Sequence, residues 1–239
     1  MLILGIDTSG RQGSVALLRA DSRLEAPAEC ELLELVSLEG GQYSELLVPT
    51  LAGLLERHGE LRSALGLIAV ASGPGSFTGL RIATATVKGL AEAFATPVVA
   101  VSVLEAVALG GLVEGKVVAA LDAQRSEVFS GEYLVDRDQP DPARMIREAI
   151  TSFEGFTAAL SECDANEVFT PDDSIATRLR DISINSRTLH RPNAEAYARI
   201  AYRKFRAGVR ADVATLDANY LRRSDAEIFK APKPGITPA

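Results

Sequence analysis

The chain has 239 residues, of which 47% are hydrophobic and 24% charged, and its formal net charge is −7. This composition is typical of one large or two small globular domains, and the negative charge argues against nucleic-acid binding through the overall field of the chain. Two cysteines cannot form a disulfide framework, and no apolar run approaches the roughly 20 residues that span a bilayer. We therefore expect a cytoplasmic protein that does not enter a membrane.

The first half of the chain predicts strands that alternate with helices. Short apolar runs bounded by turn residues predict strands at 2–6, 13–18, 31–38, 67–72 and 97–102. Apolar residues at helical spacing predict helices at 44–58, 80–94 and 103–109, the first with Pro49 as its weak point and Gly59 beyond its end. Since the strands are apolar without alternation, we expect a sheet that is covered on both faces.

The second half begins like the first. Residues 117–123 repeat the arrangement of residues 2–8, with an apolar strand that ends at an Asp and a polar turn, and a further strand follows at 127–134. This weak duplication predicts two related α/β subdomains. A charged stretch at 136–142, a helix at 156–163, a strand at 167–170 and a helix at 193–207 are predicted next, and residues 230–239 contain too few apolar side chains to pack.

The first candidate site is the turn that follows the first strand, Asp7-Thr8-Ser9 and a glycine. A carboxylate beside two hydroxyls could hold a hydrated cation and a phosphate, as in actin-like and sugar-kinase-like folds. An ordinary Asx turn accounts for the same residues equally well. The corresponding turn at Asp122 lacks the hydroxyls, which counts against full ATP hydrolysis.

The second candidate site is the loop at 73–79, where backbone amides between a strand and a helix could point at an anion. It lacks the Lys-Ser/Thr pair of a Walker loop and the last glycine of a dinucleotide-binding loop, so a tight turn capped by one of its hydroxyls is the stronger explanation. The candidate residues of this loop are Gly73, Gly75, Ser76, Thr78 and Gly79.

Small residues recur along the helix that follows this loop, and such residues let another helix approach closely. The neighbour is either the helix at 44–58 of the same chain or a helix of another subunit, and the pattern does not separate a core from an interface. The candidate interface residues are Leu47, Leu51, Leu54, Gly79, Ile82, Ala83, Thr86, Gly89, Leu90 and Ala93.

Motifs for hydrolytic or metal chemistry are missing from the sequence. The two histidines, His58 and His190, are far apart, so no paired-His metal motif exists, and no G-x-S-x-G segment is present. We therefore predict neither a metal ligand nor a catalytic residue.

Five segments occur in the order seen in the TsaB (YeaZ) family, and the chain resembles this family over nearly its whole length. The segments are IDTS at 6–9, SELLVP at 44–49, GPGSFTGLR at 73–81, LDAQRSEVF at 121–129 and YLR at 220–222. The chain departs from the family pattern at Tyr43, where a histidine is common, at Gln124, where an arginine is common, and at Ala218, where a proline is frequent.

The resemblance implies an α/β fold of the duplicated actin-like (ASKHA) type with two βββαβα-type subdomains, one at 1–101 with a return of about 211–239 and one at 102–210. It implies a non-catalytic subunit that pairs with TsaD for threonylcarbamoyl transfer to adenosine 37 of tRNA, while TsaE joins the complex and TsaC supplies threonylcarbamoyl-adenylate. It also implies a homodimer when the chain is alone and contact with tRNA only through the complex. No metal or cofactor is implied unless a nucleotide with Mg²⁺ lies at the partner interface.

Two alternatives of other classes stay open at this point. The turn at Asp7 and the loop at 73–79 are compatible with an actin-like nucleotide-dependent ATPase or kinase. A glycoprotease-like peptidase is the other alternative, although the histidine count argues against its metal-dependent form.

Overall fold

The computed structural model describes residues 1–20, 30–58, 65–165, 167–219 and 221. The predictions for Gly59 and for residues 230–239, and two of the three residues of the YLR segment, lie outside the described residues. No helix within the described ranges is long and apolar enough to cross a membrane.

The first half of the chain forms a five-stranded mixed sheet. Its strands are β1 (Leu2–Asp7), β2 (Gln12–Ala20), β3 (Cys30–Glu39), β4 (Leu65–Gly73) and β5 (Val98–Ser102). They are arranged in the order β3-β2-β1-β4-β5, with the β1–β2 and β2–β3 pairs antiparallel and the β1–β4 and β4–β5 pairs parallel. The five predicted strands are therefore present. All residues of the central strand β1 are buried, which confirms a sheet that is covered on both faces.

Helices α1 (Tyr43–Arg57) and α2 (Phe77–Phe94) cover one face of this sheet. Helix α2 begins earlier than predicted because Ser76 Oγ accepts the Gly79 N–H and caps it. Pro49 lies beyond the first turn of α1, where it cannot donate a helical hydrogen bond. The helix continues through this position because a stripe of buried leucines, including Leu47 and Leu51, anchors it to the sheet.

The second half repeats the first sheet. Its strands are β6 (Gly115–Gln124), β7 (Glu127–Val135), β8 (Ala143–Ser152), β9 (Glu167–Thr170) and β10 (Ser186–Thr188). The order β8-β7-β6-β9-β10 corresponds strand by strand to β3-β2-β1-β4-β5. Helices α4 (Phe153–Ser161) and α5 (Asp173–Asp181) cover its outer face. The duplicated α/β architecture expected of an actin-like fold is confirmed.

Three elements were not predicted. Strand β8 is an edge strand with five of its ten residues exposed, and its sequence contains no apolar run. Helix α5 is short and polar, with Ile175, Ala176 and Leu179 as its buried residues, and β10 is a three-residue strand. The pattern of apolar residues is too weak in each case to mark the element.

Helices α3 (Val103–Gly110) and α6 (Ala194–Arg206) belong to a core that joins the two sheets. Helix α3 packs against strands of both sheets, whereas α6 packs on the first sheet although it follows the second in the chain. After α6 the chain stays with the first sheet, since Ala211 N donates to Val98 O (2.8 Å) and Asn219 N donates to Ser72 O (2.7 Å). The domain boundaries at 1–101, 102–210 and about 211–239 stay predictions.

Candidate functional site

The turn after β1 is buried beneath a cleft. Asp7 is 1% exposed, and its Oδ1 accepts the Ser9 N–H at 2.8 Å, so the Asx turn that the sequence left as an alternative is present. Thr8 and Ser9 are also buried. The carboxylate is therefore positioned by the end of the central strand β1 and by the backbone N–H of Ser9.

The charge of this carboxylate is disfavoured by its surroundings. Burial raises the pKa of Asp7 above its ordinary value, and hydrogen bonds from Ser9 and the positive charge of Arg191 oppose this shift. Burial and the nearby Asp7 charge likewise raise the pKa of Tyr43. The Tyr43 hydroxyl donates to Gly10 O at 2.8 Å and fixes the far side of the turn.

The loop between β4 and α2 packs directly on this turn. Ser76 N donates to Ser9 O (2.7 Å), and Thr8 Oγ1 donates to Gly79 O (2.7 Å). A Cβ at Gly75 would lie 2.3 Å from Ser9 O, and one at Gly79 would lie 2.0 Å from Thr8 O. The two glycines are therefore required by the close approach of two backbones, which accounts for them without any bound phosphate.

The two candidate loops meet at a cleft of about 1570 Å³ between the two halves of the chain. The predicted residues on its wall are Asp7, Ser9, Gly75, Ser76, Thr78 and Gly79. Thr8 points into the packing between the loops. Gly73 does not line the cleft, and a Cβ there would lie 2.9 Å from Leu80 Cδ1 and 3.1 Å from Asn219 O. The structure thus brings the two predicted loops together at one site.

The turn after β6 faces the cleft from the second half. Asp122 Oδ1 accepts the Gln124 N–H at 2.7 Å, which repeats the Asx turn of Asp7. Asp122 N donates to Asp172 Oδ2 at 2.8 Å, and Asp172 also lines the cleft. Unlike Asp7, Asp122 is exposed, and Ala123 occupies the position equivalent to Thr8.

Arg191 and Asp172 are charged cleft residues that were not predicted from the sequence. Arg191 lines the cleft beside Gly10, and no motif around it marks it as a site residue. Asp172 precedes α5, the helix that the sequence pattern did not reveal.

The cleft offers both kinds of group that a nucleotide with a divalent cation requires. Carboxylates of Asp7, Asp122 and Asp172 could hold a hydrated cation, and the N-terminus of α2 with Arg191 could hold an anion. Within the described ranges, one cluster of possible metal ligands brings its oxygens within 4.8 Å of one another, and it consists of the exposed Glu114, Asp136 and Asp138, which do not line this cleft.

The histidines lie elsewhere. His58 Nε2 is 2.9 Å from Glu34 Oε2 at the end of α1, and His190 is exposed in the loop before α6. Neither histidine lines the cleft.

The candidate interface residues separate into two groups. Leu47, Leu51, Leu54 and Ala83 lie in the core of this chain, and Gly79 lies beneath the Thr8 backbone, so the core explanation applies to all five. Ile82, Thr86 and Leu90 are half-buried. Gly89 and Ala93 are exposed, and a Cβ at Gly89 would meet no atom within 4 Å.

Comparisons with known proteins give one consistent result. The family model described as "TsaD: tRNA N6-adenosine threonylcarbamoyltransferase" matches residues 39–161. The "tRNA threonylcarbamoyladenosine biosynthesis protein TsaB" of Bacillus subtilis (strain 168) is 30% identical over 95% of this chain and 96% of its own length. The protein of the same name from Escherichia coli (strain K12) is 33% identical over 58% of this chain and 57% of its own. The solved structure described as "YeaZ from Pseudomonas aeruginosa" superposes with a TM-score of 0.71 at 27% identity, covering 92% of this chain and 100% of that one.

Proposed function

Because the chain belongs to the TsaB family, we propose that it is a non-catalytic subunit that pairs with a TsaD-type enzyme in the synthesis of threonylcarbamoyladenosine in tRNA. In this role it activates threonylcarbamoyl transfer to adenosine 37, and the partner holds the catalytic groups. The partner and this chain share one fold, so a pseudo-symmetric pair is the natural assembly.

The observation that carries the proposal is the outer face of α2. Ala85, Gly89 and Ala93 recur at helical spacing on this face and are exposed. Side chains this small allow a second helix to approach closely, and the buried Ala83 and Val87 hold α2 rigidly on its own sheet. On α1, which packs beside α2, Val48 is 59% exposed and offers apolar surface.

The placement of the histidines supports a non-catalytic role. One is paired with Glu34 on the surface and the other lies in a loop, so the chain cannot supply the paired-His metal motif expected of the TsaD-like partner. The same placement disfavours a metal-dependent peptidase.

The remaining partners follow from the same role. We expect TsaE to join the complex and the chain to form a homodimer through α1 and α2 when TsaD is absent. With a net charge of −7, the chain reaches tRNA through the complex and not alone. A modification subunit for tRNA is expected in the cytoplasm.

Association with TsaD from the same organism tests the proposal, and light scattering of the mixed proteins measures it. Gly89→Arg adds a long charged side chain to the exposed face of α2, and we expect it to weaken association by at least about tenfold. Gly155→Arg is the matched control, because Gly155 is an exposed helical glycine in α4 of the other half, with its nearest atom at 3.4 Å from an added Cβ.

Ala83→Arg is unsuitable for this test, since Ala83 is fully buried and the variant would lose its fold. The proposal is refuted if the two folded proteins do not associate. It is also refuted if Gly89→Arg and Gly155→Arg bind TsaD equally well.

The cleft favours a second candidate function, a nucleotide-dependent ATPase or kinase. Its two facing Asx turns at Asp7 and Asp122 would hold Mg²⁺ and phosphates between the halves. Calorimetric titration of the isolated chain with ATP and Mg²⁺ decides between the two functions. Binding and turnover that Asp7→Ala abolishes would favour the enzyme, whereas the subunit role expects no turnover by the chain alone.

A further inference from the structure

The carboxylate of Glu148 in β8 accepts hydrogen bonds from both halves of the chain. Its Oε1 accepts the Ser102 hydroxyl at 2.5 Å and also the Tyr133 hydroxyl. Its Oε2 accepts Asn219 Nδ2 at 2.5 Å. Both oxygens are therefore engaged, and each of the three donors comes from a different part of the fold.

The donors connect both sheets. Ser102 ends β5 of the first sheet and caps α3, where its Oγ also accepts the Leu104 N–H at 3.2 Å. Tyr133 belongs to β7 of the second sheet and is buried. The carboxylate thus bonds the end of a strand in one half to the interior of the sheet in the other.

The third donor belongs to the segment 211–219, which we call the strap. The strap lies along the first half, where Ala211 N bonds Val98 O and Asn219 N bonds Ser72 O, and Leu216 is buried in the core beneath α1 and α2. The side chain of Asn219 then crosses to Glu148 of the second half. Asn219 and Leu221 also line the cleft, so the end of the strap forms part of the cleft wall.

We call Glu148 and its three donors, Ser102, Tyr133 and Asn219, the joint, and all three donors are neutral. Among the described residues, no Lys, Arg or His lies within salt-bridge distance of the Glu148 carboxylate. Hydrogen bonds to an ionised group are stronger than neutral ones, and a carboxylate with restricted access to water needs all of its donors. Burial, followed by the charge of Glu148, raises the pKa of Tyr133, so its hydroxyl stays protonated and continues to donate.

We propose that Glu148 is a latch that ties the strap to the second half and so sets the angle between the halves and the width of the cleft. Release of Asn219 frees the strap from the second half and lets the cleft widen. The latch is a property of this chain alone, and it holds whether the cleft binds a nucleotide or the chain serves as a subunit.

Spin labels on the two halves measure this angle. Ala207→Cys at the end of α6 and Ala158→Cys in α4 place labels on exposed positions outside the proposed interface, with Cys163→Ser in the background and Cys30 left buried. Asn219→Asp sets a second carboxylate against Glu148, and we expect a longer distance between the labels. We also expect hydrogen exchange at the backbone N–H of residue 219, which donates to Ser72 O, to become faster by at least about tenfold. Asn185→Asp is the matched control, an exposed asparagine outside the joint that should change neither quantity.

A charge exchange separates the latch from simple loss of stability. Glu148→Gln alone keeps one carbonyl oxygen that can accept from Asn219 Nδ2, while its NH2 group can donate to a hydroxyl, so we expect a smaller opening than in Asn219→Asp. Glu148→Gln combined with Asn219→Asp restores a donor and an acceptor in exchanged positions, so we expect the label distance and the amide protection to return towards wild type. Unchanged distance and exchange in Asn219→Asp, or a double variant at least as open as Asn219→Asp, would overturn the latch.

Discussion

Two glycines of the same helix should respond to alanine with opposite signs. Gly79 lies in the first turn of α2, where an added Cβ would be 2.0 Å from the Thr8 carbonyl oxygen. Gly89 lies in the middle of α2, where an added Cβ would meet nothing within 4 Å. Alanine at Gly79 thus tests the contact between the two loops, and alanine at Gly89 tests the higher helix propensity of alanine.

The magnitudes follow from these surroundings. Gly89→Ala should raise the free energy of unfolding by about 0.5–1 kcal/mol, because alanine loses less backbone entropy in a helix. Gly79→Ala should lower it by about 3 kcal/mol. Overpacking against rigid backbone costs about 1–3 kcal/mol, and the Thr8–Gly79 and Ser76–Ser9 hydrogen bonds at risk are each worth about 1 kcal/mol.

Equilibrium unfolding in urea, followed by far-ultraviolet circular dichroism, measures both effects. In a thermal scan the gain at Gly89 corresponds to about 1–4 °C for a chain of this size. If Gly79→Ala is as stable as wild type to within about 0.5 kcal/mol, the turn at Asp7 and the loop at 73–79 do not pack as described.

Two buried charges give further predictions. Because burial raises the pKa of Asp7 above 3.8, its stabilising contribution is present at low pH and is lost as the pH rises through the folded-state pKa. Asp7→Asn should therefore gain stability relative to wild type as the pH rises above about 4 in urea unfolding, and a pH-independent difference would contradict this. Lys204 Nζ lies 2.7 Å from the buried Glu105 carboxylate, so Lys204→Met should cost about 3–5 kcal/mol by leaving that charge unpaired. The double variant Lys204→Met with Glu105→Leu should recover most of this loss, and equal losses in the single and double variants would exclude a specific pair.

The strand that the sequence shows most clearly is one with both faces buried. Every residue of β1 is buried, so its apolar run and the Asp that ends it were visible as a pattern. Strand β8 lies at a sheet edge, and its exposed Arg144, Met145 and Ile146 leave neither a run nor an alternation to detect. Burial on both faces is the physical signal that local sequence carries most clearly.

The candidate site was predictable only in part. The Asx turn at Asp7 and the Ser76 cap depend on neighbours in sequence, and both alternatives named from the sequence are present. Glycine is required at Gly75 and Gly79 because both contact a turn about seventy residues earlier in the chain. The spacing of residues in the sequence does not reveal such a contact. The contact of Arg191 with Gly10 and that of Glu148 with Asn219 also join residues that are distant in sequence.

The resemblance to the TsaB family is confirmed by the relative from Bacillus subtilis, which matches nearly the whole chain. The motifs that carried the resemblance lie mainly where the chain turns back on itself. The loop at 73–79, the most specific of them, packs on the turn at Asp7. Such packing restricts residue type at several positions together, so the motif identifies a fold more readily than a reaction.

The central claim is that this chain activates a TsaD-type partner without performing the reaction. Unmodified tRNA, the partner, TsaE and threonylcarbamoyl-adenylate are incubated with and without this chain, and threonylcarbamoyladenosine is measured by mass spectrometry of the digested tRNA. We predict modification with the wild-type chain and with Gly155→Arg, strong loss with Gly89→Arg, and none by this chain without its partner. Modification by the chain alone, or equal modification by the partner without it, would contradict the account.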